Sequence, residues 1–213
     1  FATVDAAMLR EVDPQAFDEK VIGVDVARFG DDKSVIYFRH GRDGAPVPYE
    51  RFDGMDTMEL AARVADWIRR WHPDAVFVDD GGVGGGVVDR LHQLGFGRIV
   101  RGVNFGGKSD YRRTGERAAN KRTEMWLTMR EWLASGSLPK DELLAAELTA
   151  PMYKYDADNR IVLEKKEDMK KRGIPSPDIA DALALTFAYP VAPMDDVDEY
   201  DDAFDRDRGE AGY

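Results

Sequence analysis

The stretch VIGVDVARFGDDKSVI, residues 21–36, puts a carboxylate in the middle of an apolar strand. Asp25 sits between Val24 and Val26, and an ionised Asp there is costly to desolvate unless it is paired or bound to a cation. A lone Asp near a strand is ordinarily a turn or cap residue. Two further carboxylates in similar settings later in the chain weigh against that reading for Asp25. Asp31 and Asp32 are explained more simply, because 28–32 is turn chemistry in which Gly and Asp tolerate the backbone angles.

The order of elements around this stretch limits the fold. Residues 21–27 and 34–39 read as strands, 40–44 as a second turn, and 47–52 as an edge strand, since Pro46 and Pro48 cannot donate to a ladder. Three strands joined by short turns form an antiparallel meander. Asp56-Thr57 offers a helix cap with Glu59 in the first turn. Leu60, Ala61, Val64, Trp67, Ile68 and Trp71 then recur at helical spacing until Pro73. The short apolar run 75–78 suits a buried central strand. It delivers Asp79 and Asp80 to a glycine-rich turn, 81–86, and a helix follows through Leu94 to Gly95. Residues 98–103 are a fifth strand and 104–115 a loop. Helices are expected over 116–135, 141–148, 165–172 and 178–189, with a hairpin formed by 152–155 and 160–163. This is the element order of the ribonuclease H-like fold. The class expected is α/β, with a mixed five-stranded sheet (a three-strand antiparallel meander plus two parallel strands) flanked by helices.

In that fold carboxylates stand mid first strand, at the end of the fourth strand and on a late helix, and this chain has an Asp at each place. In-line cleavage of a phosphodiester by water is served by two divalent ions about 3.5–4 Å apart. Mg²⁺ and Mn²⁺ prefer hard oxygen ligands, so aspartates suffice without Cys or His. Asp25 is the candidate bridge and Asp79 the candidate for one ion, with Asp80 as runner-up because adjacent strand residues alternate sides. Asp178 and Asp181, three apart, share one helix face. Asp178 alone is also an ordinary helix-start residue. Asp181 lies in the otherwise apolar run IADALAL, where a charge needs a partner. Residues 81–86 match a phosphate-binding loop weakly, since Val87-Val88 follows where a Walker loop has Lys-Ser or Lys-Thr. Their expected part is to let backbone pass close to the metal site or to a bound phosphate. The four tryptophans fall on apolar helix faces and read as core. His40, His72 and His92 have no metal-ligand spacing.

The chain has 213 residues, 43% of them apolar, enough for one substantial domain with appendages. No run is long and apolar enough to span a membrane, and the absence of cysteine excludes disulfides and thiolate metal sites. The formal charge of −11 is concentrated at the ends, with −7 in 194–213 and −3 in 1–20, leaving −1 between them. Net charge therefore argues only weakly against nucleic acid. Residues 1–20 read as a linker or lead-in helix, 21–193 as the folded domain, and 194–213 as an acidic tail with too little apolar content to pack.

The segments VIGVDVARFGDDKSVI, VFVDDGGVGGGVVDRL, NKRTEMWLTMREWL and KKEDMKKRGIPSPDIADALALTF together resemble the C-terminal nuclease domain of the large terminase subunit of tailed bacteriophages and prophages, over roughly 20–190. The resemblance implies a ribonuclease H-like, Mg²⁺- or Mn²⁺-dependent endonuclease that cuts concatemeric double-stranded viral DNA during packaging in the host bacterial cytoplasm. It matches Asp25 and Asp79 to the first- and fourth-strand acids, and Asp178 or Asp181 to the last-helix acid. It implies an upstream ATPase domain, a portal and a small terminase subunit as partners. No Walker motif precedes the match here. With Phe1 at the start, that suggests an isolated nuclease domain that neither hydrolyses ATP nor translocates DNA.

Sequence-neutral cutting calls for phosphate contacts. Candidates are Lys108, Arg112 and Arg113 in the loop, Lys121 and Arg122 beyond it, and Lys165, Lys166, Lys170, Lys171 and Arg172. Each alone also reads as a solvated surface charge. Rival readings are another ribonuclease H-like nuclease such as a junction resolvase, a nucleotide-binding protein using the glycine loop, and a docking module of the packaging motor.

Overall fold

Strand pairing follows the apolar runs. The computed structural model describes residues 2–27, 33–110 and 117–193. Strands β1 (Lys20–Asp25), β2 (Ser34–His40) and β3 (Glu50–Phe52) pair antiparallel, with Val24 opposite Ile36 and Asp25 opposite Val35. Strand β4 (Ala75–Asp79) lies parallel to β1, with Val24 beside Val78, and β5 (Val100–Val103) lies parallel to β4. The order β3-β2-β1-β4-β5 puts β1 at the centre. This is the mixed five-stranded sheet read from the sequence. The turn at 28–32 lies outside the described residues, as do Arg112, Arg113 and the tail 194–213.

Both faces of the sheet are covered, so the pleat decides what each strand residue meets. Ile22, Val24, Val76 and Val78 pack under α2 (Thr57–Trp71) and α3 (Gly84–Leu91), against Leu60, Val64, Ile68 and Leu91. Val21, Ala75 and Phe77 face the other layer, built from α4 (Lys121–Trp132), α5 (Glu142–Thr149) and α7 (Asp178–Leu185). The hairpin β6 (Tyr153–Tyr155) and β7 (Ile161–Leu163) and the short α6 (Lys166–Lys171) connect α5 to α7. The lead-in stretch holds α1 (Ala2–Leu9), which buries Val4 and Ala7 in the α4/α5/α7 layer.

Several boundaries differ from the sequence reading for local reasons. Strand β3 is shorter because Pro46 and Pro48 withhold donors. Helix α4 starts late, where the Asn120 side chain accepts from the Thr123 amide at 2.9 Å. Helix α3 begins inside the glycine run, and a wide turn at 92–96 follows it with Gly95 at φ 91°. Helix α7 ends at Leu185, after which Thr186, Phe187 and Ala188 each bond back three residues in a tightened last turn.

One close approach positions the site. A Cβ on Gly23 would lie 2.0 Å from the Ala182 carbonyl oxygen, so α7 rests directly on β1. Every residue of α7 is buried. A fully buried Ile or Leu contributes about 1.5–3 kcal/mol. Ile179, Leu183 and Leu185 therefore help offset the cost of holding Asp178 and Asp181 out of water.

Candidate active site

The alternation that sends Val21 and Phe77 to the α7 layer sends Asp25 and Asp79 there as well. They end the neighbouring parallel strands β1 and β4. Asp80 takes the other side, and a Cβ on Gly102 would meet its carboxylate at 2.9 Å. Asp25 is 2% exposed; its Oδ2 accepts from Lys166 Nζ at 3.0 Å, while its buried Oδ1 accepts no hydrogen bond. Asp79 Oδ1 accepts from the Gly81 amide at 3.0 Å. The glycine turn thus orients this carboxylate. Gly84 has no room for a side chain, since its Cβ would lie 1.8 Å from the Asp79 carbonyl oxygen.

Helix α7 supplies the other two acids. Asp178 Oδ2 accepts from the Lys33 amide at 2.9 Å, and its Oδ1 lies 3.6 Å from Lys166 Nζ. Asp181 is fully buried and bonded at both oxygens. Its Oδ1 accepts from Arg122 Nε (2.9 Å) and Trp126 Nε1 (2.7 Å), and its Oδ2 from Arg122 Nη2 (3.1 Å), with Lys166 Nζ also 3.1 Å away.

Charge balance follows from these contacts. Burial pushes the Asp25 carboxyl well above the usual range; Lys166 opposes this, while Asp181, Asp79 and Asp178 add to it. Burial also raises Asp79, to about 6, against the pull of the Gly81 amide. Burial acts upward on Asp181 too, but Arg122, Lys166 and Trp126 outweigh it and hold the group below the usual value. Burial would depress Lys166, yet Asp25, Asp181 and Asp178 hold its ammonium above the ordinary lysine range. Four carboxylates thus gather around two cations, Lys166 and Arg122.

This donor set fits a hard divalent cation: the ligands are carboxylate oxygens, negative charge is in surplus, and Asp25 Oδ1 is buried without a partner. Among the described residues, no three acids are spaced to hold an ion as they stand. Lys166 lies within 3.6 Å of Asp25, Asp178 and Asp181 and provides the positive charge at their centre. Asp25, Asp79 and Asp178 keep the greater capacity for a metal, because Asp181 is already saturated by donors.

A cleft of about 530 Å³ opens over Asp25 and Asp79, with Asn104, Phe105, Arg122, Lys165, Lys166 and Lys170 in its walls. The basic candidates divide by location. Lys165 and Lys170 are exposed at the cleft. Lys166 and Arg122 are engaged with the acids. Lys121 is buried, bonded to Glu124 at 2.7 Å and stacked on Tyr189, so it is not a surface charge. Lys108 is exposed on the loop after β5, outside the cleft lining. Lys171 pairs with Asp168 at 2.7 Å, and Arg172 bonds Glu164 and the Ala150 carbonyl. Trp126, read as core, also donates to Asp181.

Sequence reasoning missed Glu147. It is buried on α5, and its Oε2 accepts from the amides of Ile179 (2.7 Å) and Ala180 (3.0 Å). Burial raises its carboxyl to about 7 against the pull of those amides. The available signal was its position three residues after Leu144, on the apolar face of α5.

The same fold occurs in nuclease domains of large terminase subunits from several phages. The nuclease domain of the large terminase subunit gp2 of bacterial virus Sf6 aligns at a TM-score of 0.68 and 25% identity, over 83% of this chain and 91% of that one. A variant of that domain solved with manganese and β-thujaplicinol aligns at 0.68 and 24%, with the same coverage. The large terminase nuclease of thermophilic phage G20c, solved with bound magnesium, aligns at 0.58 and 21%, over 83% and 84% of the two chains. No model of a known protein family matches the chain, and no curated protein does.

Proposed function

We propose, from the premise that this chain has the fold of large-terminase nuclease domains, that it is a metal-dependent endonuclease that cuts concatemeric double-stranded viral DNA during genome packaging, with little sequence preference. The observation that carries this reading is the convergence of Asp25 and Asp79, from β1 and β4, at one cleft with lysines in its wall, with Asp178 of α7 joined to Asp25 through Lys166. Asp25, Asp79 and Asp178 would hold two Mg²⁺ or Mn²⁺ ions. Bound there, the ions would activate the attacking water and stabilise the leaving oxygen of an in-line displacement. Asp181 fixes Arg122 and Lys166 beside the reacting phosphate. Lys165 and Lys170 contact the DNA backbone as point charges, which grips any sequence alike. Within the motor, the partners on this reading are an ATPase domain in the same protein, a portal and a small terminase subunit, in the host cytoplasm.

Purified protein with Mn²⁺ is expected to nick supercoiled plasmid, and EDTA to stop it. Asp25→Ala is expected to abolish cutting while the circular dichroism spectrum is unchanged. Plasmid digestion by Asp25→Ala at the wild-type rate would overturn the metal-site reading. A preference for branched junctions over linear duplex would favour a resolvase instead.

A further inference from the structure

The N-terminus of α7 is capped from outside the helix. Its N-cap residue is Pro177, which offers no side-chain acceptor. The first intrahelical bond closes from the Asp181 amide to the Pro177 carbonyl, leaving the amides of Ile179 and Ala180 without a partner in the helix. Both residues are fully buried, so water cannot satisfy them. Glu147 Oε2 takes both, reaching from α5. Asp178, at the head of the same helix, is the local alternative, because an aspartate readily accepts from the amide two residues on. In the structure its carboxylate does not cap. It accepts from the Lys33 amide, and its other oxygen lies 3.6 Å from Lys166 Nζ, the ammonium that also meets Asp25.

We infer that Glu147 is a positioning residue for the metal-binding acids: by capping α7 in place of Asp178, it keeps the Asp178 carboxylate beside Lys166, the cation it shares with Asp25. This rests on the nuclease reading. Without Glu147 the bare amides recruit Asp178, the ligand set loses a member, and the helix itself stays seated on β1 through Gly23 and its apolar face. Glu147→Gln keeps an acceptor oxygen in place while removing the charge, so it separates capping from electrostatics.

The test uses the whole chain with Mn²⁺ as the probe, followed by its paramagnetic resonance signal, alongside plasmid nicking kinetics. Glu147→Ala is expected to weaken Mn²⁺ binding and lower kcat by about tenfold or more, with KM for DNA changed by less than about twofold. Glu147→Gln should retain Mn²⁺ affinity within about threefold of wild type. Leu60→Ala, in the opposite layer, serves as a destabilised control and should keep Mn²⁺ affinity at matched loss of thermal stability. Amide exchange at Ile179 and Ala180 should accelerate more in Glu147→Ala than in Leu60→Ala at that matched stability. Unchanged Mn²⁺ affinity in Glu147→Ala, or an equal loss in Leu60→Ala, overturns the inference while leaving the nuclease reading intact. Wild-type protein that takes up no Mn²⁺ overturns both.

Discussion

Lys166 meets Asp25 at 3.0 Å, Asp181 at 3.1 Å and Asp178 at 3.6 Å, and this cation makes so dense a cluster of buried acids tolerable. Removing one partner of a buried ion cluster leaves the others uncompensated, at a cost of about 3–5 kcal/mol. Lys166→Ala is therefore expected to lower stability in EDTA by roughly that amount, measured by urea unfolding. Mn²⁺ should restore most of the loss, because a divalent ion can neutralise the same carboxylates. A variant as stable as wild type in EDTA would show that Lys166 is not the counterion. Nothing local marked Lys166 for this part. In KKEDMKK it is one of several lysines, and its neighbours Lys165 and Lys170 remain exposed at the cleft. For Asp79 and Asp80, by contrast, a strand's period of two says in advance that only one reaches the site face, and the end of β4 at Asp79 decides which.

Among elements, the contact of α7 with β1 sets the distance between the two sources of carboxylate. Gly23→Ala would drive a Cβ to 2.0 Å from a backbone oxygen, and neither strand nor helix can yield without moving the acids. A destabilisation of about 1–3 kcal/mol and a loss of cutting are expected. Gly85→Ala, where a Cβ meets nothing within 4 Å, should be neutral or mildly stabilising in the first turn of α3. Equal urea midpoints for the two variants would show that the close approach is not what holds α7. The apolar run IADALAL signalled this helix and its burial. That it lies on Gly23 rather than on another small residue was not legible, because no local pattern names the partner of a helix.

At the scale of the whole molecule, the buried acids tie stability to pH. Asp25, Asp79 and Glu147 all have folded values raised by burial, with Asp79 at about 6 and Glu147 at about 7. The folded protein therefore holds protons that the unfolded chain releases nearer pH 4, and stability falls as pH rises through that window. Glu147 alone accounts for on the order of 3 kcal/mol. Asp181, held low, loses its stabilisation only at pH below the usual Asp range, and Lys166, held high, only above the usual Lys range, so neither offsets the trend. Metal-free protein is expected to melt at a lower temperature at pH 8 than at pH 5. Added Mn²⁺ should raise the melting temperature more at pH 8, because it binds the ionised carboxylates. A metal-free melting temperature that climbs from pH 5 to pH 8 would contradict the burial-driven shifts.

The sequence by itself determined the meander, the parallel pair and the delivery of Asp25 and one acid of the Asp79-Asp80 pair to the ends of neighbouring strands, because hydrophobic period and strand parity are local properties of the chain. It also marked the last-helix acids, since a charge in an apolar helix demands a partner. Only the tertiary structure decided which partners those are. Arg122 and Trp126 lie more than fifty positions from Asp181, and Lys166 lies 141 from Asp25. Glu147 reaches α7 across a separation of 32. Such pairings depend on how helices stack over the sheet, and that is settled by packing summed over the whole layer. Asp25 was readable as a charge in need of compensation; what compensates it is a lysine from a helix that the strand cannot specify.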